Sequence, residues 1–279
     1  MKKILVPTDF SDQAQYALQL ANVLAPKMDA EVVVLHVVED GSGSSVHYTG
    51  EVGAYDMTDR MFVMKMIENA RTNMAKVHED FPELVLREEI RIGNAYHSIK
   101  DQIAEHKVDL VIMGTRGAGG IDEILIGSNA ERVVRYAKCP VLTVHAKVEK
   151  ASFDHLVLAT GTKNLDIDFI KVLKLIQKLF NSIIHLVRVN TPNNFETDRE
   201  SRASLKRFVE DAEIENYELH IYNDMTEEDG IINFADRINA DMIAMTTHGR
   251  TGLAHLLTGS IAEDVVNHTR RPVLTHVMD

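Results

Sequence analysis

Hydrophobic positions in the first half of the chain alternate between short apolar runs and segments with helical spacing. Runs typical of buried strands occur at 4–6, 32–38, 84–92, 108–113 and 141–144. Between them, apolar residues recur at intervals of three and four, which predicts helices over 11–25, 59–78, 96–106 and 128–137. Buried strands separated by helices indicate βαβ units. We therefore predict an α/β fold, a five-stranded doubly wound parallel sheet, for which we assume the strand order 3-2-1-4-5.

The second half of the chain repeats the first. Residues 114–143 align without gaps on residues 246–275, and the matches include glycines at 117/249 and 127/259. Ile4-Leu5-Val6 aligns with Leu156-Val157-Leu158 at a larger offset, so the second copy lacks a Gly/Ser-rich stretch present near 40–53. We expect two tandem domains of one fold, at 1–147 and 151–279.

Composition and charge exclude several classes of function. The chain is 45% hydrophobic and 26% charged with a net charge of -12, which disfavours binding to nucleic acid or to an anionic membrane surface. No apolar stretch approaches the roughly 20 residues of a transmembrane helix. The single cysteine, Cys139, precedes Pro140 in an apolar run, which favours a buried inert thiol and a reducing compartment. We expect a cytoplasmic protein without disulfides.

Two polar loops follow strands one and four, between which the predicted strand order reverses. In doubly wound sheets, ligands bind in the crevice at this point. The loops are Pro7-Thr8-Asp9 and Gly114-Thr115-Arg116-Gly117, and glycine lets a ligand approach the backbone closely. Gly127-Ser128 then begins a helix whose N-terminal amides and dipole suit a phosphate. Ser128 with Glu131 also fits a capping box, a structural role compatible with phosphate binding.

The spacing Gly114-x2-Gly117-x9-Gly127-Ser128 resembles the ATP-binding signature of universal stress proteins. The opening 4–11, the strand Leu35-His36-Val37 and the segment 138–142 are similar to that family too, and the resemblance covers nearly the whole chain as a tandem member. It implies a Rossmann-like, adenine nucleotide alpha hydrolase-like fold that binds ATP. The contacts it implies come from Pro7, Thr8, Asp9, Val37, Met113, Gly114, Arg116, Gly117, Gly127, Ser128 and Asn129.

The resemblance also implies what these residues do. Asp9 would lie near the adenosine, Val37 against the base, and backbone around Met113 and Gly114 along the nucleoside. The segments 116–117 and 127–129 would hold the phosphates. Asp9 is the candidate for helping to hold Mg²⁺ with the phosphates.

The second copy departs from the signature at two positions. Gly161 stands in place of Asp9, and Thr246 replaces Gly114, where a Cβ would intrude on a closely approaching nucleoside. The rest of the pattern persists as Gly249, Arg250, Gly259 and Ser260. We predict a degenerate second site without ATP binding, and hence one nucleotide site in the chain.

Catalytic motifs are absent from the sequence. There is no P-loop, no H-E-x-x-H and no G-x-S-x-G, and the 13 histidines show no ligand spacing, so we interpret most as surface or loop residues and His36 as a satisfied core or edge histidine. Nothing places a base beside a nucleophile. We expect at most slow ATP hydrolysis.

Three functions remain open. The first is an ATP-binding regulatory or stress-response protein. The second is an interaction scaffold or a lipid- or small-molecule-binding protein. For it, the Met-rich helix (Met57, Met61, Met64, Met66) could flank a ligand pocket, although adaptable packing is its first interpretation. The third is an ATP-using enzyme such as a nucleotidyl transferase or an ATP pyrophosphatase. It ranks last because such an enzyme would need an H-x-G-H or S-G-G-x-D-S loop after the first strand, and residues 8–11 match neither motif.

The apolar fifth strands at 141–144 and 273–277 are predicted sheet edges, and bare edges invite pairing. The family resemblance implies dimerisation through these strands. In a tandem chain the two copies can pair with each other as an intrachain pseudo-dimer, and the association of two chains to a homodimer is left open.

Overall fold

The computed structural model describes residues 3–39, 57–115, 126–148, 153–160, 166–248 and 261–278. The first half contains β1 (Lys3–Thr8), α1 (Asp12–Met28), β2 (Glu31–Val38), α2 (Met57–Asp80), β3 (Leu86–Ile92), α3 (Ala95–His106), β4 (Leu110–Gly114), α4 (Ser128–Tyr136) and β5 (Val141–Val144). The second half contains β6 (His155–Ala159), α5 (Ile167–Phe180), β7 (Ile183–Asn190), α6 (Asp198–Ala212), β8 (Tyr217–Asn223), α7 (Glu227–Arg237), β9 (Met242–His248), α8 (Ile261–His268) and β10 (Val273–Met278).

The described strands form one ten-stranded sheet in the order β3-β2-β1-β4-β5-β10-β9-β6-β7-β8. Within each half the neighbouring strands are parallel, and each half has the order 3-2-1-4-5. The predicted α/β class is therefore confirmed, and the observed strand order is the one assumed from the sequence. The boundary at 147–151 stays a prediction, since part of it lies outside the described residues.

The two halves meet at their fifth strands. β10 pairs antiparallel with β5, with Leu274 opposite Leu142. The hydroxyl groups of Thr143 and Thr275 donate across this junction to the carbonyls of Val273 and Val141 at 3.2 and 3.4 Å. The predicted apolar edges therefore pair within one chain, which protects both from solvent.

On one face of the sheet, the halves share a single hydrophobic core. It includes Leu24 of α1, Leu142 of β5, Leu173 of α5 and Leu274 of β10, each with no exposed surface. The other face carries two separate cores, one under α3 and α4 and one under α7 and α8. Because the shared core contains residues from both copies, neither half keeps its burial without the other.

The capping box predicted for Ser128 and Glu131 is wrong. Gly127 is the N-cap of α4, with an extended backbone at φ -67° and ψ 148°, and as a glycine it makes no side-chain capping bond. Ser128 is therefore already inside the helix, and Glu131 contacts Arg135 at 3.2 Å instead. The described chain does contain a capping box at α6, where Thr197 and Glu200 cap each other's backbone amides.

The methionines of α2 do not pack as first interpreted. Met61 and Met64 are 67% and 64% exposed, and Met66 is half-buried. The helix packs on the sheet through residues further along, Ala70, Met74 and Val77. The packing interpretation is wrong for Met61 and Met64. The side chain of Met57 and the predicted flanking loop at 40–56 lie outside the described residues.

Among the helices that the structure describes, none combines the length and the apolar character needed to cross a bilayer.

Candidate functional site

The crevice predicted from the strand order lies between the carboxyl ends of β1 and β4. β1 pairs with β2 on one side and with β4 on the other, so the order in which strands are added to the sheet reverses here. Thr8 ends β1 and Gly114 ends β4. The amide of Gly127 donates to the carbonyl of Thr115 at 2.7 Å, which holds the start of α4 beside the end of β4. The structure thus brings 7–9, 113–114 and 127–129 to one edge of the sheet.

The loop after β1 is held in one conformation by short local contacts. The buried Thr8 hydroxyl accepts the Phe10 amide at 3.0 Å, and the exposed Asp9 carboxylate accepts the Ser11 amide at 3.0 Å. Phe10 has a φ of 64°, a left-handed backbone that is strained for a bulky residue. Such strain persists only where the surroundings fix it, so the position of the Asp9 carboxylate is predetermined.

His36 on β2 supports this loop from the side. Its Nδ1 donates to the carbonyl of Thr8 at 2.8 Å, and its ring lies 4.5 Å from the Phe10 ring, centroid to centroid. The interpretation of His36 as a satisfied core or edge histidine is confirmed. Phe10 was missed, because no local pattern indicates a left-handed phenylalanine.

Gly114 is required by packing within the protein. A Cβ at this position would lie 2.7 Å from the carbonyl carbon of Gln13 and 2.8 Å from its oxygen, both backbone atoms of α1. The reason predicted for this glycine is the close approach of a nucleoside. The structure supplies a different and sufficient reason, so the glycine by itself no longer indicates a ligand.

The other predicted contacts differ in burial. Met113 is buried in the core under α3 and α4, and Val37 packs against the same core while remaining half-buried. Pro7 and Asn129 are half-buried and Ser128 is exposed. Met113 can therefore meet a ligand only through its backbone, whereas Val37 lies at the rim of the crevice. Arg116 and Gly117 lie outside the described residues.

The start of α4 is suited to an anion. Because its N-cap residue is a glycine, no N-cap side chain occupies the amides of its first turn. The positive end of the helix dipole lies at the same place. These groups lie next to the ends of β1 and β4, where a ligand would sit.

In the second half, the corresponding edge is described only in part. Thr246 lies on β9 and is half-buried, at the position that Gly114 occupies in the first half. Gly161, Gly249, Arg250, Gly259 and Ser260 lie outside the described residues. The degenerate second site therefore stays a prediction.

A hydrogen-bonded chain links the crevice to the second half. The buried Thr115 hydroxyl lies 2.8 Å from His145 Nδ1, and His145 Nε2 contacts the carbonyl of Val266 in α8. Since a carbonyl can only accept, Nε2 carries the proton and Nδ1 accepts from Thr115. The end of β4 is therefore positioned partly by the second half.

A separate cavity of about 910 Å³ lies at the opposite edge, where the strands begin. Its walls come from α3, α4 and α5 and include Tyr136, Cys139, Val172 and Leu175. Burial raises the pKa of the Cys139 thiol to about 12, so the thiol stays protonated and inert as predicted. This cavity is far from the crevice between β1 and β4 and takes no part in it.

The sequence was compared with protein families. Residues 1–145 and 171–275 each match the model of the universal stress protein family. The chain belongs to this family. Its two matches agree with the two halves of the sheet.

Individual relatives place it among the tandem members. It is 25% identical to the universal stress protein Slr1230 of Synechocystis over 99% of both chains. The universal stress protein MJ0531 of Methanocaldococcus jannaschii is 34% identical over 51% of this chain and 81% of its own length. A crystal structure of a universal stress protein from Archaeoglobus fulgidus shares the fold with a TM-score of 0.72, at 22% identity over 98% of this chain and 97% of that one.

Proposed function

We propose that this universal stress protein binds ATP in the crevice between β1 and β4 of its first half and acts as a regulatory stress-response protein. The observation that carries the proposal is the start of α4, where first-turn amides without an N-cap side chain lie beside the ends of the two strands. A phosphate at a helix N-terminus is stabilised by such amides and by the helix dipole. Asp9, which the loop contacts hold at the same edge, would meet the adenosine.

The same geometry argues for binding without efficient hydrolysis. In the loop after β1 and on the strand that supports it, the titratable groups are Asp9 and His36. His36 already donates its Nδ1 proton to Thr8, and Asp9 accepts the Ser11 amide. If Mg²⁺ accompanies ATP, Asp9 would add one oxygen ligand to those of the phosphates. We propose that hydrolysis, if measured, is slow.

Asp9→Asn is expected to weaken ATP binding by roughly 10- to 100-fold, the range for losing a hydrogen bond to a charged group. Asparagine keeps the side-chain oxygen that accepts the Ser11 amide, so the loop should retain its conformation. The measurement is calorimetric titration of ATP with Mg²⁺ into the full chain. Asp12→Asn, an exposed carboxylate in the first turn of the adjacent helix, is the matched control. Equal affinity in both variants, or no binding by the wild type, contradicts the ATP site.

The same titration is expected to give one ATP per chain, because the second half has Gly161 and Thr246 at the positions equivalent to Asp9 and Gly114. The full chain must be used, since β10 and β5 pair and the halves share a core. A stoichiometry of two would show that the second half also binds, and the proposal of a degenerate second site would then be abandoned.

An apolar surface favours the second candidate function, an interaction or small-molecule-binding protein. Met61, Phe62 and Met64 are each more than 60% exposed at the start of α2. The cavity lined by Tyr136 and Leu175 offers a further apolar site. If the wild type takes up no nucleotide in the titration above, this second function becomes the leading one.

A further inference from the structure

Three histidines and a glutamate meet at the amino end of the second half of the sheet, on three adjacent strands. His155 begins β6, His185 lies on β7, and Glu218 and His220 lie on β8. In the parallel register, Val157 pairs with His185, His185 with Glu218, and Val187 with His220. Since side chains two apart on a strand point to the same face, all four groups are on the face covered by α7.

Three of these side chains bring one ligand atom each to a common point. His185 Nδ1 and His220 Nε2 are 3.1 Å apart, and Glu218 Oε2 lies 3.5 Å from the first and 3.3 Å from the second. A tetrahedral Zn²⁺ with ligands at about 2.0–2.1 Å separates its ligand atoms by about 3.3 Å. The triangle therefore already has the size that a bound cation would impose.

The surroundings provide what a metal-binding histidine needs beyond its ligand atom. For His185 Nδ1 to offer a lone pair, its proton must sit on Nε2, which lies 3.0 Å from His155 Nδ1. His155 thus accepts the second ring proton and fixes the orientation of the His185 ring. On the other side, the Phe234 ring packs against His220 at 4.9 Å.

Exposure and protonation also fit a cation site. The His185 side chain is 7% exposed, that of His220 26% and that of Glu218 56%, so the triangle opens towards solvent on the Glu218 side. Burial lowers the pKa of His185 and of His220, while Glu218 opposes both shifts. Arg202 and Arg237 lower the pKa of His220 further. Metals bind the neutral form of imidazole, which burial of these two rings favours over the charged form.

The repeat offers an internal comparison. The positions equivalent to His155, His185, Glu218 and His220 in the first half are Lys3, Val33, Arg87 and Glu89. There Arg87 and Glu89 form an ion pair with 2.6 Å between Nη2 and Oε1. The same fold is thus built without a single histidine at these positions, so the fold does not require the histidine cluster.

We propose that His185, Glu218 and His220 form a binding site for one divalent transition-metal cation, with Zn²⁺ as the best match. Two imidazoles and a carboxylate are a ligand set that suits Zn²⁺, and water reaching the open side would supply a fourth ligand. His155 is a positioning residue that acts through His185. This site lies on β6, β7 and β8, which β5, β10 and β9 separate in the sheet from β1 and β4, and it is independent of the proposed nucleotide crevice.

The test is a Zn²⁺ titration of the full chain after removal of metals with a chelator, read out by competition with a fluorescent zinc indicator. The wild type should take up one Zn²⁺ per chain. Glu218→Gln and His220→Gln should each weaken binding at least about 100-fold, and His155→Gln about 10-fold. His97→Gln, an exposed histidine on α3, should leave affinity unchanged.

Two further measurements separate a metal site from a chain of hydrogen-bonded histidines. Co²⁺ bound by the wild type should show the intense visible absorption of a tetrahedral complex, and Glu218→Gln should lose it. Because Glu218 is mostly exposed, circular dichroism of this variant should match the wild type without metal. No Zn²⁺ uptake at micromolar concentrations by the wild type, or equal affinity in Glu218→Gln and His97→Gln, would overturn the proposal.

Discussion

Replacing Arg135 by methionine is expected to lower the free energy of unfolding by about 3 kcal/mol, because it leaves a buried carboxylate without its partner. Arg135 of α4 binds both oxygens of Glu263 in α8, with 2.7 Å between Nε and Oε1. The Glu263 side chain is 7% exposed and that of Arg135 29%. Glu263 holds the pKa of Arg135 above its usual value, so the guanidinium stays charged. The measurement is equilibrium denaturation in urea.

The companion variants identify the cause of this loss. Replacing both Arg135 and Glu263 by methionine should recover most of it, since no unpaired charge then remains buried. Arg132→Met removes an exposed arginine from the same helix and should change stability by no more than about 0.5 kcal/mol. If Arg135→Met unfolds at the same urea concentration as Arg132→Met, the ion pair does not stabilise the junction of the two halves.

The strand order and the joining of the halves were predictable because each depends on patterns that are local in the sequence. Apolar runs at 32–38 and 108–113 and the helical spacing between them fix the βαβ units, and their handedness leaves few topologies. The apolar runs of the fifth strands predicted sheet edges that need a pairing partner. The shared core was not predictable, because the apolar stripes of α1 and α5 look like those of any helix on a sheet.

At the crevice, the sequence predicted which loops meet, but the capping box of Ser128 and Glu131 is wrong, and the packing role of Gly114 was missed. Ser128 and Glu131 have the spacing of a capping box, but capping requires an extended backbone, and Gly127 holds that position. The role of Gly114 depends on how closely α1 approaches β4, a distance between elements far apart in the chain. Sequence motifs therefore predicted where the candidate site lies, whereas the roles of individual residues in it depend on how the helices and strands pack.

The histidine cluster was missed for a related reason. Ligand motifs are recognised by their spacing along one segment, whereas His155, His185 and His220 are 30 and 35 residues apart and converge through strand pairing. The detectable signal was the spacing Glu218-x-His220, in a segment that forms a strand. That spacing places both side chains on one face, beside a neighbouring strand that also carries a histidine.

Gly114→Ala is expected to destabilise the protein by about 3 kcal/mol, at the upper end of the range for overpacking. The added Cβ would meet the backbone carbonyl of Gln13 at 2.7–2.8 Å, and a backbone group cannot rotate away as a side chain can. Relief requires α1 to move off β4, and α1 begins directly after the loop that carries Asp9. The measurement is urea denaturation of the full chain, together with the ATP titration.

The matched control is Thr246→Ala, at the equivalent position of the second half, where a side chain is already accommodated. It should cost no more than about 1 kcal/mol. Gly114→Ala with wild-type stability would show that α1 does not approach β4 this closely.

The expected instability of Gly114 variants also decides how ATP-binding data are interpreted. A Gly114 variant would lose ATP through a displaced loop even if the nucleoside never touched this residue, so Asp9→Asn, which preserves the loop, is the variant that tests the ligand.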